Sequence, residues 1–420
     1  MSATLPVTAP PAVRRSATWW VGVTIVLVAC NLRPGVVAVS PLLEEIRAAA
    51  GLSATAAGVL TALPVLCFGL LAPVAPRLAR RFGIERALLG ALLTLCAGIA
   101  LRVIDSTAAL FAGTVLVGGA IAIGNVLLPG LIKRDFAHRA GLMTGLYTMA
   151  ISAGGALAAG LTVPVARAAG LDWRGALGMW GLFAGAAIMV WLTQLRRDDH
   201  RIVNGGDITG LWRDPVAWQV TAFMGLQSLS FYASGAWLPT LFVERGADPS
   251  TAGWMLSLAS FVGIATSLLT PMLADRMRRQ SGLAFAATGV SAAGLLGVLT
   301  VPGAEWVSMA VLGLGQGAAI SLALTLIVLR APDGAHAAQL SGMAQSVGYV
   351  LAAAGPFAVG ALHDLTGSWT IPLVVLALLL APQGLVGAAA GRDRLVGRST
   401  ALPAGAATPS GSASVGSHRD

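Results

Sequence analysis

The chain has 420 residues, of which 56% are hydrophobic and only 11% charged, well short of the roughly 25% charge of a soluble globular domain. Its formal net charge is +9, yet the arginines fall in short clusters between apolar stretches and form no basic face or aromatic-interleaved patch, which argues against a nucleic-acid partner. Cys30, Cys67 and Cys96 all lie in apolar segments and read as buried thiols rather than a disulfide framework.

Residues 1–16 are polar and carry Pro6, Pro10, Pro11, Arg14 and Arg15. The apolar run that follows is longer than a signal peptide's core, so this segment is expected to be an uncleaved cytoplasmic tail. Twelve apolar stretches come next, centred near Val28, Leu66, Leu95, Gly119, Ser152, Ala184, Leu229, Ser260, Gly289, Gly317, Gly348 and Leu378. Each has the roughly 20 residues needed to cross a hydrocarbon core of about 30 Å. Open β structure cannot span lipid with its backbone unpaired, so the expected fold is an all-α integral membrane protein of twelve transmembrane helices.

Basic residues concentrate on alternate loops: Arg77, Arg80, Arg81 and Arg86; Lys133, Arg134 and Arg139; Arg196, Arg197, Arg201 and Arg213; Arg276, Arg278 and Arg279. Those loops, and with them both termini, are expected to face the cytoplasm. The opposite loops, which by this reading include Arg102 with Asp105, carry fewer basic residues. The polar stretch 196–214 suits a cytoplasmic linker between a six-helix bundle over 17–195 and another over 215–391, and the Ser-, Gly-, Ala- and Pro-rich stretch 392–420 reads as a disordered cytoplasmic tail.

An internal repeat supports the division. Ala57-Gly58 precedes Pro76-Arg77-Leu78-Ala79-Arg80-Arg81 at the same spacing at which Ala252-Gly253 precedes Pro271-Met272-Leu273-Ala274-Asp275-Arg276. Two pseudo-symmetric halves enclose a cavity near the bilayer midplane, the arrangement of a secondary transporter working by alternating access.

Arg33 is the most informative residue. Counting from Trp20 at 1.5 Å per residue places it roughly 20 Å into the membrane, where a charge costs on the order of 2.5 to 3.5 kcal/mol on insertion scales. Pro34 and Gly35 are expected to kink or unwind the helix here, and broken helices are where transporters build binding sites. With no carboxylate in the apolar core to neutralise it, Arg33 is expected to hold an anionic or strongly dipolar substrate through its planar donor fork. The alternative is that it satisfies backbone carbonyls or snorkels to the interface.

Further candidates for substrate contact are Asn31, Asn125, Tyr147, Gln227, Tyr232, Gln345 and Tyr349. Gln227, Ser230 and Ser234 share one helix face, as do Ser341, Gln345 and Tyr349, and interhelical hydrogen bonding is the competing explanation for both stripes. No HExxH, GxxxxGK loop or serine triad is present, so neither an enzyme nor a cofactor is expected. The glycines of Gly313-Leu314-Gly315-Gln316-Gly317 read as helix-packing residues.

The six-plus-six plan with basic Pro-x-Leu-Ala-x-Arg loops after helices two and eight resembles the major facilitator superfamily. Asn31-Leu32-Arg33-Pro34, Gly124-Asn125-Val126-Leu127-Leu128-Pro129 and the run from Gln227 through Phe231-Tyr232 to Trp237-Leu238-Pro239 are similar to its cyanate/nitroimidazole transporter branch. The resemblance implies import of a small anion such as cyanate, or export of a nitroimidazole-like heterocycle, with Arg33 in the binding role and Arg81, Asp275 and Arg276 as gating or structural loop residues. Where superfamily members usually have an acid in the first such loop this chain has Arg80, whereas the second half keeps Asp275. The expectation is therefore a monomeric cytoplasmic-membrane transporter of a small-molecule solute, against the alternative of a membrane receptor that binds ligand without moving it.

Overall fold

The computed structural model describes residues 15–136, 140–195, 210–332 and 334–397. The expected N-terminal tail up to residue 14, linker residues 196–209 and tail residues 398–420 lie outside the described residues.

Among the described residues there are twelve long helices and no strand. Six precede the linker: α1 (Arg15–Asn31), α2 (Ala54–Leu71), α3 (Ile84–Val103), α4 (Thr107–Asp135), α5 (Ala140–Ala168) and α6 (Trp173–Trp191). Six follow it: α7 (Pro215–Glu244), α8 (Pro249–Asp275), α9 (Ser281–Thr300), α10 (Glu305–Leu329), α11 (Gly334–Thr366) and α12 (Thr370–Ala390). Several begin on a side-chain cap, because the first turn of a helix has amides without an internal acceptor. Ser53 accepts from Ala56 at α2, Asp172 from Gly175 at α6, and Asp214 from Val216 and Ala217 at α7, where Pro215 supplies a pre-set first residue.

Among the described residues, eleven spans are both long and apolar enough to cross a membrane. The twelfth expected span, centred near Leu229, is a helix of 30 residues, but it carries too many polar residues to count among them. Its polar groups are buried against other helices: Thr221, Gln227, Ser228, Ser230, Ser234 and Thr240 are all buried.

The tail expected from residue 392 instead begins with ordered backbone. The Val396 amide donates to the Arg330 carbonyl at 2.9 Å, the Gly397 amide donates to Asp214 at 2.7 Å, and Val396 is buried. One apolar side chain and two satisfied donors hold these six residues against the ends of α7 and α10.

The two halves meet where α2 packs along α11 and α5 along α8. The repeated glycines explain the closeness of both seams. A Cβ on Gly58 would stand 2.6 Å from the Pro356 carbonyl oxygen, and one on Gly253 would stand 2.3 Å from that of Ala159. At the end opposite the termini, Arg167 pairs with Asp248 at 2.7 Å. Asp364 there accepts from the Ala54 and Thr55 amides at 3.0 and 2.6 Å and from the Thr55 hydroxyl at 2.5 Å.

Candidate functional site

α1 stops at Asn31, since Pro34 has no amide to give the Cys30 carbonyl. Arg33 occupies the turn, with φ −117° and ψ −37°, and a single helical turn, Pro34–Val37, restarts from it. The Arg33 carbonyl accepts from both Val36 and Val37, at 3.0 and 2.9 Å. The break expected from the proline is therefore present, and Arg33 stands in it rather than within a continuous helix.

α5 lies directly behind the break. A Cβ on Gly154 would fall 2.2 Å from the Cys30 carbonyl oxygen, so only glycine lets α1 approach this closely. The next residue, Gly155, faces the stem of Arg33, and a Cβ there would lie 3.5 and 3.7 Å from Arg33 Cβ and Cγ.

The half-buried guanidinium crosses to the second half of the chain. Arg33 Nη1 donates to the Tyr232 hydroxyl at 3.3 Å, and Cζ stands 5.5 Å from the Phe231 ring centroid and 5.7 Å from that of Tyr232. Tyr147 of α5 and Tyr349 of α11 are within electrostatic reach of the same charge. Phe68 of α2 completes a ring cluster, with centroids 6.2 Å from Tyr232 and 5.7 Å from Tyr349, and Tyr232 and Tyr349 lie 6.3 Å apart. Among the described residues no carboxylate lies within ion-pair distance of Arg33.

Of the expected contact residues, the structure brings together Arg33, Tyr147, Tyr232 and Tyr349. Asn31 and Gln227 turn elsewhere: the Asn31 amide donates to the Leu27 carbonyl at 2.9 Å, and the Gln227 amide donates to Met224 at 3.1 Å and Ser228 at 2.6 Å. Gln345 donates to Ser341 at 2.8 Å. Asn125 follows Gly124, against which Leu32 packs, and makes no hydrogen bond among the described residues. Arg81, Asp275 and Arg276 are exposed, and Arg81 lies 5.2 Å over the Phe82 ring. No ion pair involves Asp275 or Arg276 among the described residues.

The site contains two groups that the sequence reading missed. Phe68 gave no polar signal. Arg102, assigned with Asp105 to one of the opposite loops, belongs to α3 and is only 1% exposed. A signal existed, because Leu88, Leu92, Leu95, Ile99 and Arg102 recur at spacings of three and four and form one buried face.

Comparison with known proteins agrees with this architecture. The profile of the Major Facilitator Superfamily matches residues 25–356 and 221–410. An uncharacterized transporter of Bacillus subtilis is 45% identical, covering 91% of this chain and 96% of its own. The 2-nitroimidazole transporter of Escherichia coli is 42% identical over 88% of this chain and 95% of its own, and the cyanate transport protein of the same organism is 30% identical over 85% and 96%. A broken first helix with a lone arginine, two packed six-helix sets and relatives that are transporters rather than enzymes lead to one assignment: this chain is a multi-pass membrane transporter belonging to the major facilitator superfamily.

Proposed function

We propose that the protein moves a small anionic or strongly polar solute, cyanate-like in charge and size, across the cytoplasmic (inner) membrane by rocker-switch alternating access. Both termini are on the cytoplasmic side, and one chain forms the working unit. The observation that carries this reading is the unpaired charge of Arg33. Its guanidinium has five donors and gives one of them to a protein group at 3.3 Å. Removing a cation from water without an anion is unfavourable, so the geometry favours a substrate that supplies the missing negative charge. Because Tyr232 belongs to the other half, a solute seated on Arg33 touches both halves at once, which is what coupling binding to alternation needs.

The ring cluster of Phe68, Tyr232 and Tyr349 favours a second reading, efflux of a planar heteroaromatic compound such as a nitroimidazole. Its ring would pack edge-on or offset against the aromatics while its nitro oxygens accept from the arginine fork. Proteoliposome uptake and counterflow of cyanate and 2-nitroimidazole, measured in parallel, choose between the two. Arg33→Ala abolishes transport of the true substrate, and Arg33→Lys impairs it because the fork is lost. Undiminished flux in Arg33→Ala removes the substrate role of this residue.

A further inference from the structure

The side chain of Arg102 is buried in the first half of the protein, and the described residues place no carboxylate within ion-pair distance of it. Its Nε donates to the Thr114 hydroxyl at 3.0 Å and its Nη1 to the Gly35 carbonyl at 2.5 Å, while Nη2 is buried without a partner. Thr114 is itself fixed, donating to the Leu110 carbonyl at 2.7 Å. The surroundings are shaped to admit the arginine. A Cβ on Gly98 would meet the Gly113 carbonyl oxygen at 2.8 Å, and one on Gly113 would meet Arg102 Cγ at 2.9 Å, so α3 and α4 touch backbone to backbone where the guanidinium passes between them.

The Gly35 carbonyl is one that the helix break leaves over. The turn Pro34–Val37 ends at once, and the Val39 amide donates to Val36 at 3.4 Å instead of to Gly35. Gly35 also presses on α4, since a Cβ there would stand 2.8 Å from Val117 Cγ1. Arg102 thus supplies a charged donor to the open end of a one-turn helix whose first residue is Pro34, next to Arg33. The proline ring fixes φ at Pro34, and the Val36 and Val37 amides tie the same turn to the Arg33 carbonyl, so anchoring the Gly35 carbonyl restricts how the backbone at Arg33 can shift.

We infer that Arg102 is a positioning residue: it clamps the broken turn through the Gly35 carbonyl and so aims Arg33 at the substrate and Tyr232. This rests on the reading of Arg33 as the substrate-binding charge. Arg102 itself touches no solute.

The test combines two readouts on the full-length protein. In proteoliposomes, with whichever of cyanate or 2-nitroimidazole the wild type carries, Arg102→Met raises KM roughly tenfold while kcat changes by less than about twofold, because the binding charge is misaimed but the rocking halves are untouched. In detergent without solute, the same variant speeds hydrogen exchange of the Val36–Val39 amides and leaves α9 and α10 unchanged. Arg102→Lys, whose ammonium can reach one of the two acceptors, recovers part of the KM loss, and Thr114→Val, which removes the Nε partner but leaves the bond to Gly35, raises KM less than Arg102→Met. An unchanged KM in a folded Arg102→Met protein, or a fall in kcat alone, overturns the proposal. Should Arg102→Met not fold, wild-type KM values in both Arg102→Lys and Thr114→Val overturn it. If Arg33→Ala transports normally while exchange at 36–39 still rises in Arg102→Met, the substrate role of Arg33 has failed and the clamp on the turn has not.

Discussion

Adding one methyl group at Gly154 tests whether the close approach of α1 to α5 is what holds the break in place. In the wild type the new Cβ would stand 2.2 Å from the Cys30 carbonyl oxygen and 3.0 Å from its carbon, both backbone atoms, whereas ordinary contact begins at 3.4 Å. The α1 backbone must therefore retreat by about 1.2 Å, the difference between 2.2 and 3.4 Å, three residues before Arg33. Two opposing terms act on stability. Replacing a mid-helix glycine gains about 1 kcal/mol of helix propensity, while forcing a methyl into a packed seam costs roughly 1–3 kcal/mol. The second term wins, so Gly154→Ala lowers the melting temperature, and a displacement on the order of 1 Å at a binding group cuts kcat/KM by up to about 100-fold. Gly155→Ala is the matched control, since its Cβ meets Arg33 at 3.5 Å and needs no movement. Proteoliposome kinetics and differential scanning fluorimetry on the two variants decide the matter. A Gly154→Ala protein that melts above the wild type with unchanged KM refutes the reasoning.

Other substitutions probe the remaining contacts. Tyr232→Phe removes a single long hydrogen bond to Arg33 and keeps the ring, so ligand affinity in a thermal-shift titration falls only a few-fold, in line with about 1 kcal/mol, whereas Tyr232→Ala also opens the contacts to Phe68 and Tyr349 and falls further. Asp364→Ala leaves the Ala54 and Thr55 amides without their acceptor, and hydrogen exchange at these two positions rises about tenfold or more; unchanged exchange would show that the α2–α11 seam closes without it. At the α5–α8 seam, the hydrogen bond from Arg167 holds the exposed Asp248 carboxyl below its usual range. A depressed pKa stabilises the fold at every pH above the unfolded value, about 3.9, and the contribution is lost only as pH falls through the folded one. The melting difference between Asp248→Asn, which keeps the helix cap, and the wild type is therefore flat from about pH 5 to 8, small because both partners are exposed, and shrinks below about pH 4. A step near neutral pH would point to another group.

The overall plan was legible because lipid leaves few choices. A segment such as Ile84–Val103 declares itself by length and apolar content, and Pro34 announces the break in α1 because no other residue so surely lacks the amide donor. Arg33 was legible as a charge set among apolar residues. The ring cluster was only half legible, since Phe68 comes from α2, Tyr232 from α7 and Tyr349 from α11, and nothing in the local pattern of any one segment says that these faces meet. Asn31 and Gln227 show the converse: a polar side chain at mid-membrane depth can spend its amide on a carbonyl of its own helix, three or four residues back, and sequence alone does not separate that from solute contact. Arg102 was misplaced because charge within the last turn of an apolar run usually belongs to the interface, and the rule that identifies loops carries no information about which way the last turn faces.

The unusual polarity of α7 has a consequence for how the protein is made. This helix is buried chiefly against α11, to which Trp237 is tied by a hydrogen bond to the Pro356 carbonyl at 2.8 Å. Gln227 bonds within α7, and the hydroxyls of Thr221, Ser230, Ser234 and Thr240 are buried with no hydrogen-bond partner among the described residues. The contact between Trp237 and Pro356 spans 119 positions of sequence, so it can form only after α11 has been synthesised. Closing of the α7–α11 seam is thus a late step, and a chain truncated before α11 leaves the face of α7 that packs on it uncovered, which limited proteolysis of the truncated chain would read out.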